Sequence, residues 1–278
     1  MSKLNDDEMT FWDHLDDLRK TLFRIAAFVC VISIVFFFYM RDIFNNIILA
    51  PSRNDFYLYQ WLNEAGKKVS LLPDFFVGNF TVKIININLS SQFFIHMSTS
   101  LWFALVFSFP FVIYQLFIFV KPALHNNERK NAGGVFLFGN ILFFIGVAVG
   151  YLFVFPMTLR FLAGYQLSTF IEQSVSLDSY MSTFLMVCFW MGIVFELPIV
   201  AWFLSQLGIL HREFFNKYRR HAFFTLFVIV AIFSPTGDPF TIMLFFIPIY
   251  ALWELSALVV KRKPKEEVEE EEEEKELI

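Results

Sequence analysis

The sequence predicts an all-α, polytopic integral membrane protein with six transmembrane helices and with both its N-terminus and its C-terminus in the cytoplasm. The first observation is composition: 57% of the 278 residues are hydrophobic, only 17% are charged, and mean hydropathy is +0.57. Soluble domains carry about 25% charged residues. The other two observations are long apolar stretches and an uneven distribution of Lys and Arg. This composition excludes a disordered protein and a nucleic-acid binder that relies on basic charge.

Six apolar stretches are candidates for spans, since a membrane-spanning helix needs about 20 mostly apolar residues. They are residues 21–40, 93–120, 132–157, 180–207, 222–233 and 240–260. Pro110, Pro198 and Pro248 fall inside three of them and are expected to kink those helices. The fifth stretch rises about 18 Å, and the sixth, counted from Pro239 to Trp253 ahead of Glu254, rises about 22 Å. Both look short, so they require a thinner bilayer, local water or burial in the bundle, unless these boundaries are too tight.

The distribution of Lys and Arg sets the orientation, because cytoplasmic loops carry an excess of both. With the N-terminus inside, segments 1–20, 121–131 and 208–221 hold ten cations in all. The two short outer loops, 158–179 and 234–239, hold one. The bias therefore places the N-terminus in the cytoplasm.

The chain divides into a cytoplasmic amphipathic segment, 1–20, a membrane domain, 21–260, and an acidic tail, 261–278. Nine glutamates lie in the tail from Glu266 onward, so we expect it to be disordered and solvated. The long outer loop, 41–92, is expected to contain a short interfacial helix at 54–66 and a short strand at 80–89. Together they would form a cap over the outer face.

No catalytic signature is present, so we expect neither an enzyme nor a bound metal or cofactor. Cys30 and Cys188 lie in apolar runs without metal or disulfide spacing, and are expected to be buried, inert thiols. Gly146 and Gly150 form a GxxxG motif, for which close packing inside the bundle is favoured over dimerisation.

An amphipathic helix precedes the first span. Its apolar stripe consists of Phe11, Leu15, Leu18 and Leu22, and its polar positions are Asp13, Asp16, Asp17 and Lys20. The pattern is compatible with a simple membrane anchor whose acidic face is solvated. It is equally compatible with an acidic binding surface at the cytoplasmic side.

The first inner loop contains an acid among cations, Glu128 between Lys121, Arg129 and Lys130. Glu128 either pairs with a neighbouring cation or contacts a cationic partner. Glu196 lies near the middle of the fourth span, where a charge costs about 3 kcal/mol. An intramembrane acid indicates function, although a hydrogen bond to a neighbouring helix is an alternative. Asp238, in the outer turn SPTGDPF, is expected to cap the sixth helix.

The chain resembles the TatC family of the twin-arginine protein translocase in a series of short motifs. The matching motifs are HLDDLRKTL (14–22), APS (50–52), FVKPALHNNERK (119–130), GYLFVFP (150–156), FELPI (195–199), SPTGDPFT (234–241) and IPIYALWE (247–254). Each motif is modest alone, but their order along a six-span chain is specific. The resemblance covers the chain from about Phe11 to Val260.

The resemblance implies the core subunit and signal-peptide receptor of a system that exports folded proteins with the proton-motive force. Its implied partners are twin-arginine signal peptides, single-span subunits of the TatA/TatB type, the lipid bilayer and further TatC copies. It implies no nucleic acid. The implied location is the bacterial cytoplasmic (inner) membrane, and the N-terminus shows no pattern of a signal or transit peptide.

The resemblance also assigns residues. Asp17 and Glu128 match the acids that bind the signal peptide, although the family usually has glutamate at the position of Asp17. The supporting cytoplasmic residues are Leu15, Arg19, Lys20, Pro51, Pro122 and Arg129. Glu196 matches an intramembrane polar position of the family. Contacts with partner helices are implied around Ser234, Asp238 and Thr241, while Ile242 is apolar where some relatives are polar.

A secondary transporter or channel for a small solute is the competing interpretation. It predicts inverted repeats, broken helices and several intramembrane charges. The sequence shows no convincing repeat and one clear acid at mid-membrane depth.

Overall fold

The computed structural model describes residues 11–68, 81–120, 126–165, 167–168, 170, 173–206 and 208–262. Eleven α-helices account for most of these residues. They are α1 (Phe11–Ile43), α2 (Tyr57–Lys68), α3 (Ser91–Phe107), α4 (Phe109–Val120), α5 (Asn126–Val149), α6 (Phe155–Gly164), α7 (Leu177–Phe195), α8 (Leu197–Gln206), α9 (Arg212–Lys217), α10 (Arg219–Phe233) and α11 (Pro239–Val259). A π-helix follows α1 at Phe44–Ile48, a second joins α5 to α6 at Gly150–Val154, and Ala50–Ser52 is a 3₁₀ turn.

Several of these helices are long and apolar enough to cross a membrane. Taken across short interruptions between labelled elements, the described residues contain four such stretches: Leu15–Glu64, Phe136–Gly164, Leu177–Gln206 and Pro239–Val259. The bent pair α3–α4 adds a fifth if it forms one span. The predicted all-α, polytopic class is confirmed. The count of six and the orientation stay predictions.

The two C-terminal helices differ in length. The 15 residues of α10 rise about 22 Å, which is short for a span. The 21 residues of α11 rise about 31 Å, because the helix continues past Glu254 to Val259. The expectation of a short sixth helix is therefore wrong, and only α10 is short.

Proline positions explain where two spans break. The break between α3 and α4 falls at Ser108, two residues before Pro110, and bends the pair by 53°. The break between α7 and α8 falls at Glu196, two residues before Pro198. Each proline thus sits in the first turn of the new helix, where its missing N–H removes no hydrogen bond. Pro248 differs, since α11 runs through it without a break.

The first of two compact units consists of residues 1–45 and 89–140. Here α1 packs along α3 and α4, and Phe28 stacks on Phe111 with ring centroids 4.2 Å apart. The buried face of α3 carries the small side chains of Ser91, Thr99 and Ala104. Small residues let two membrane helices approach closely. Cys30 is exposed on α1, so its predicted burial is wrong, whereas that of Cys188 is confirmed.

The second unit consists of residues 46–88 and 141–278. The outer loop contains the predicted helix, found at Tyr57–Lys68, and a strand reduced to Ile84–Ile85. This strand, β1, pairs in parallel with β2 (Val175–Ser176), with Ile84 opposite Val175. The buried face of α2 packs against α6 through Leu58, Leu62 and Met157.

Three tyrosine hydroxyls bind the backbone where the chain leaves the first π-helix. Tyr151 donates to the Ile47 carbonyl at 2.9 Å, Tyr180 to Ile48 at 2.5 Å, and Tyr59 to Pro51 at 2.8 Å and Pro156 at 3.2 Å. We call Tyr59, Tyr151 and Tyr180 the tyrosine clasp. It supplies donors to carbonyls of the irregular backbone at Ile47, Ile48 and Pro51.

A buried arginine completes this region. Arg160 is 2% exposed, and its guanidinium carbon lies 4.9 Å from the centre of the Tyr59 ring. The cation–π contact favours the charge in a site that excludes water. Tyr59 thus joins α2 to the start of α6 through both its hydroxyl and its ring.

Glycines permit close contact between the third span and α7. A β-carbon at Gly146 would lie 2.5 Å from the Met191 carbonyl oxygen, and one at Gly192 would lie 2.7 Å from the Phe143 ring. A β-carbon at Gly150 would lie 3.1 Å from the Cys188 α-carbon. The GxxxG motif therefore packs within the chain, as predicted.

We expect Gly146→Ala to lower the free energy of unfolding by about 1–3 kcal/mol, since the added methyl group overpacks this contact. The matched control is Gly134→Ala in α5, where an added β-carbon meets nothing within 4 Å. Reversible unfolding in mixed detergent micelles measures both. Equal stability of the two variants would contradict the close contact.

We expect Tyr180→Phe to lower the free energy of unfolding by about 1–3 kcal/mol, because the buried Ile48 carbonyl loses its hydroxyl donor. Tyr57→Phe is the control, since Tyr57 lies on α2 and is 75% exposed. The same unfolding measurement applies. A neutral Tyr180→Phe would show that the clasp contributes nothing.

Candidate functional site

The predicted acidic surface lies on the first turns of α1. The Lys20 ammonium is 2.8 Å from an Asp16 carboxylate oxygen and 3.5 Å from one of Asp17. The side chains of Lys20, Asp16 and Asp17 are 56%, 53% and 46% exposed. We call these three residues the acidic turn. Exposed ion pairs are weak, so an incoming cation can reach and compete for these carboxylates.

The apolar neighbours of the acidic turn are exposed as well. Leu15 and Leu22 are 40% and 53% exposed, which suits a helix that lies against lipid or a ligand. The Arg19 guanidinium lies over the Phe23 ring at 5.9 Å. Arg19 therefore packs against an aromatic ring, while its charge also acts on Asp16.

The second predicted acid, Glu128, is the third residue of α5. An acid in the first turn of a helix is stabilised by the helix dipole. The side chains of Glu128 and Arg129 lie outside the described residues, and so does Pro122. Whether Glu128 and Asp17 form one site stays a prediction.

Pro51 lies in the 3₁₀ turn that follows the first π-helix. It is buried there, and its carbonyl accepts the Tyr59 hydrogen bond at 2.8 Å. Pro51 therefore has a structural role in this turn. Its grouping with the supporting residues of the cytoplasmic site stays a prediction.

Glu196 occupies the break between α7 and α8. Its backbone N–H donates to Ile193, and its carbonyl accepts from Ile199 and Val200, each at 3.0 Å. The side chain is half-buried, and its buried Oε1 atom has no hydrogen-bond partner among the described residues. The alternative of a hydrogen bond from a neighbouring helix to this atom is not found there.

The outer turn forms the predicted helix cap. The Asp238 carboxylate accepts the Thr241 backbone N–H at 2.8 Å and the Thr236 hydroxyl at 2.5 Å. Burial raises the pKa of Asp238, but these hydrogen bonds outweigh burial and hold its pKa below the ordinary value of 3.8. Asp238 therefore has a structural role at the start of α11.

Thr241 and Ser234, the other two candidates for contact with a partner helix, differ in how far they are exposed at the surface. Thr241 is fully buried, and its hydroxyl lies 3.5 Å from that of Thr158. A partner helix cannot touch Thr241 unless α11 and α6 separate. Ser234 is half-buried, and its buried hydroxyl has no hydrogen-bond partner in the described part of the chain. Ile242 is buried.

We expect Asp238→Ala to lower the free energy of unfolding by about 1 kcal/mol at neutral pH, through loss of the cap. Because folding lowers the pKa of Asp238, its contribution is present above pH 3.8 and is lost as pH falls through the folded-state value. The difference between wild type and variant should therefore shrink as the pH is lowered below 3.8.

Asp42→Ala is the control, since Asp42 lies near the C-terminal end of α1 and caps no helix. It should change neither the free energy of unfolding at neutral pH nor its dependence on acid. A cap contribution that grows in acid would contradict this assignment.

The sequence did not indicate Tyr59, Tyr180 or Arg160 as special. Tyr151 was marked by the motif GYLFVFP. The pattern of apolar stretches places Arg160 in a loop, whereas in the structure it lies buried in α6. The signal in the sequence that could identify Arg160 is its position as a single cation just after an apolar stretch. No group of three or more potential metal ligands occurs in the described ranges.

Comparisons with known proteins agree with the motifs. Residues 13–248 match the model of the TatC family, described as Sec-independent protein translocase protein (TatC). A Sec-independent protein translocase protein TatC of Blattabacterium sp. subsp. Periplaneta americana is 30% identical over 254 residues, which is 91% of this chain and 95% of the relative. One of Deinococcus radiodurans is 28% identical over 248 residues, covering 89% and 84%.

Solved structures match as well. The crystal structure of a twin arginine translocase receptor, TatC, aligns with a TM-score of 0.69 and 27% identity, over 88% of this chain and 97% of that chain. A crystal structure of the receptor TatC in the detergent DDM aligns with a TM-score of 0.71 and 27% identity, over 89% and 99%. These structures and this chain share a fold over nearly their whole length.

Proposed function

This chain belongs to the TatC family of Sec-independent protein translocase proteins, and from that premise we propose that it is the signal-peptide receptor and core membrane subunit of a twin-arginine translocation system. The observation that carries the proposal is the pair of exposed carboxylates, Asp16 and Asp17, on the helix that leads into the first span. Transport uses the proton-motive force, consistent with a sequence that has no nucleotide-binding loop.

The chemistry of the acidic turn suits an arginine ligand. A guanidinium presents a planar fork of N–H donors that pairs with both oxygens of a carboxylate, whereas an ammonium is a point charge. We propose that Asp17 holds one arginine of the signal peptide and that Glu128, in the first turn of α5, holds the other. Leu15, exposed on the apolar stripe of the same turn, provides an apolar contact for the adjoining peptide.

The same proposal covers partners and location. The protein works in the bacterial cytoplasmic membrane with single-span subunits of the TatA/TatB type and with further copies of itself. We place contacts with partner helices near Glu196 and Ser234, because each is half-buried and holds an oxygen without a hydrogen-bond partner among the described residues. Both oxygens are themselves buried, so a partner reaches them only if the surrounding helices move. Polar side chains of this kind bind polar groups of neighbouring helices in membranes.

We expect the protein, held in nanodiscs, to bind a signal peptide with paired arginines about tenfold more tightly than the same peptide with paired lysines, which corresponds to about 1.4 kcal/mol. Asp17→Asn and Glu128→Gln should each remove most of this preference, because a neutral side chain cannot form the charged bidentate pair. Fluorescence anisotropy of labelled peptides measures all combinations.

Asp42→Asn is the matched control, since it removes the same charge at the opposite end of α1. It should leave the preference intact. Equal binding of the two peptides by folded wild-type protein, with and without co-purified partner subunits, would contradict the proposed receptor role.

A further inference from the structure

Lys20 lies between the two carboxylates of the acidic turn, but not midway. Its ammonium is 2.8 Å from Asp16 and 3.5 Å from Asp17. The shorter contact joins positions i and i+4 of the helix and the longer one joins i and i+3. The bond to Asp16 also lowers the pKa of that carboxyl and raises the pKa of Lys20. Asp16 is thus the principal partner of Lys20.

This arrangement has a consequence for any cation that binds Asp17. The carboxylate of Asp17 already accepts a hydrogen bond from Lys20, so an incoming guanidinium must displace the ammonium. Lys20 need not return to water when this happens, because Asp16 already holds it by the shorter contact. We propose that Lys20 is a built-in competitor for the arginine of the signal peptide, and that Asp16 is the position on which Lys20 is retained while Asp17 binds the peptide.

The choice of lysine over arginine matters for this role. An ammonium offers single hydrogen bonds and holds a carboxylate less firmly than the guanidinium fork does. An incoming arginine therefore gains a bidentate pair in the exchange. The inference rests on the proposed function, since it concerns how Asp17 discriminates among peptide cations.

Single and double variants of Lys20 and Asp16 test the inference by peptide affinity in nanodiscs. Exposed pairs of this kind are weak, so effects of about twofold are expected. Lys20→Gln should tighten binding of the paired-arginine peptide about twofold, through loss of the competitor. Asp16→Asn should weaken it about twofold, because Lys20 then closes on Asp17. In the Lys20→Gln background, Asp16→Asn should have no effect.

Long-range charge effects predict a different pattern. If Asp16 acts only as a distant negative charge, Asp16→Asn weakens binding equally in both backgrounds. Lys20→Arg separates the two explanations further, because it keeps the charge and strengthens the competitor. Competition predicts weaker binding, about twofold, and a pure charge effect predicts no change. Arg24→Gln, one turn further along α1, gives the effect of removing a nearby cation.

The outcomes separate the inference from the function on which it rests. Loss of the arginine preference in wild type would overturn the proposed receptor. An intact preference with additive effects of Asp16→Asn and Lys20→Gln, or an inert Lys20→Arg, would overturn only the role of Lys20. Thermal unfolding of each variant confirms that these exposed substitutions leave the fold intact.

Discussion

The second unit of this protein depends on hydrogen bonds from tyrosine hydroxyls to backbone carbonyls. Where a chain near a membrane departs from regular α-helix, its carbonyls lose their helical donors and need side-chain donors instead. No water in the hydrocarbon region can supply those donors. At the end of the first span the backbone passes through a π-helix and a 3₁₀ turn. Tyr59, Tyr151 and Tyr180 donate to the carbonyls of Ile47, Ile48 and Pro51 in that stretch. The outer loop is therefore fixed to the third span and to α7 by directed bonds as well as by apolar contact.

The breaks in the spans are where polar groups enter the apolar interior. Ser108 and Glu196 each stand two residues before a proline, and each has a buried side-chain oxygen without a hydrogen-bond partner among the described residues. Unsatisfied polar atoms are costly in a membrane, so each of these two oxygens carries a free-energy cost that no hydrogen bond among the described residues offsets. The short α10 adds to this picture, since a short helix favours local thinning of the bilayer. A translocase that passes folded proteins benefits from both features.

Local patterns in the sequence predicted the features that depend on neighbours along the chain. Apolar runs located the helices, prolines located two of the breaks to within two residues, and Asp238 was identified as a cap. Contacts between distant segments were not predictable in this way. Tyr180 and Ile48 are 132 positions apart, and the residues around a tyrosine do not indicate which distant carbonyl accepts its hydrogen bond. Of the candidate site, the acidic turn follows from helical spacing, whereas the pairing of Lys20 with Asp16 required coordinates.

The central claim is that a twin-arginine peptide binds at the cytoplasmic start of α1, and a photo-crosslink tests it most directly. Leu15 is exposed on the same turn of α1 as Asp17, two residues earlier in the chain, and accepts a photoreactive phenylalanine analogue without loss of a buried contact. Irradiation in native membranes should link this position to a signal peptide with paired arginines, and Asp17→Asn should abolish the link. The same probe at Phe38, exposed near the other end of α1, should give none. Equal linking of paired-arginine and paired-lysine peptides at position 15, or a link that survives Asp17→Asn, would contradict the claim.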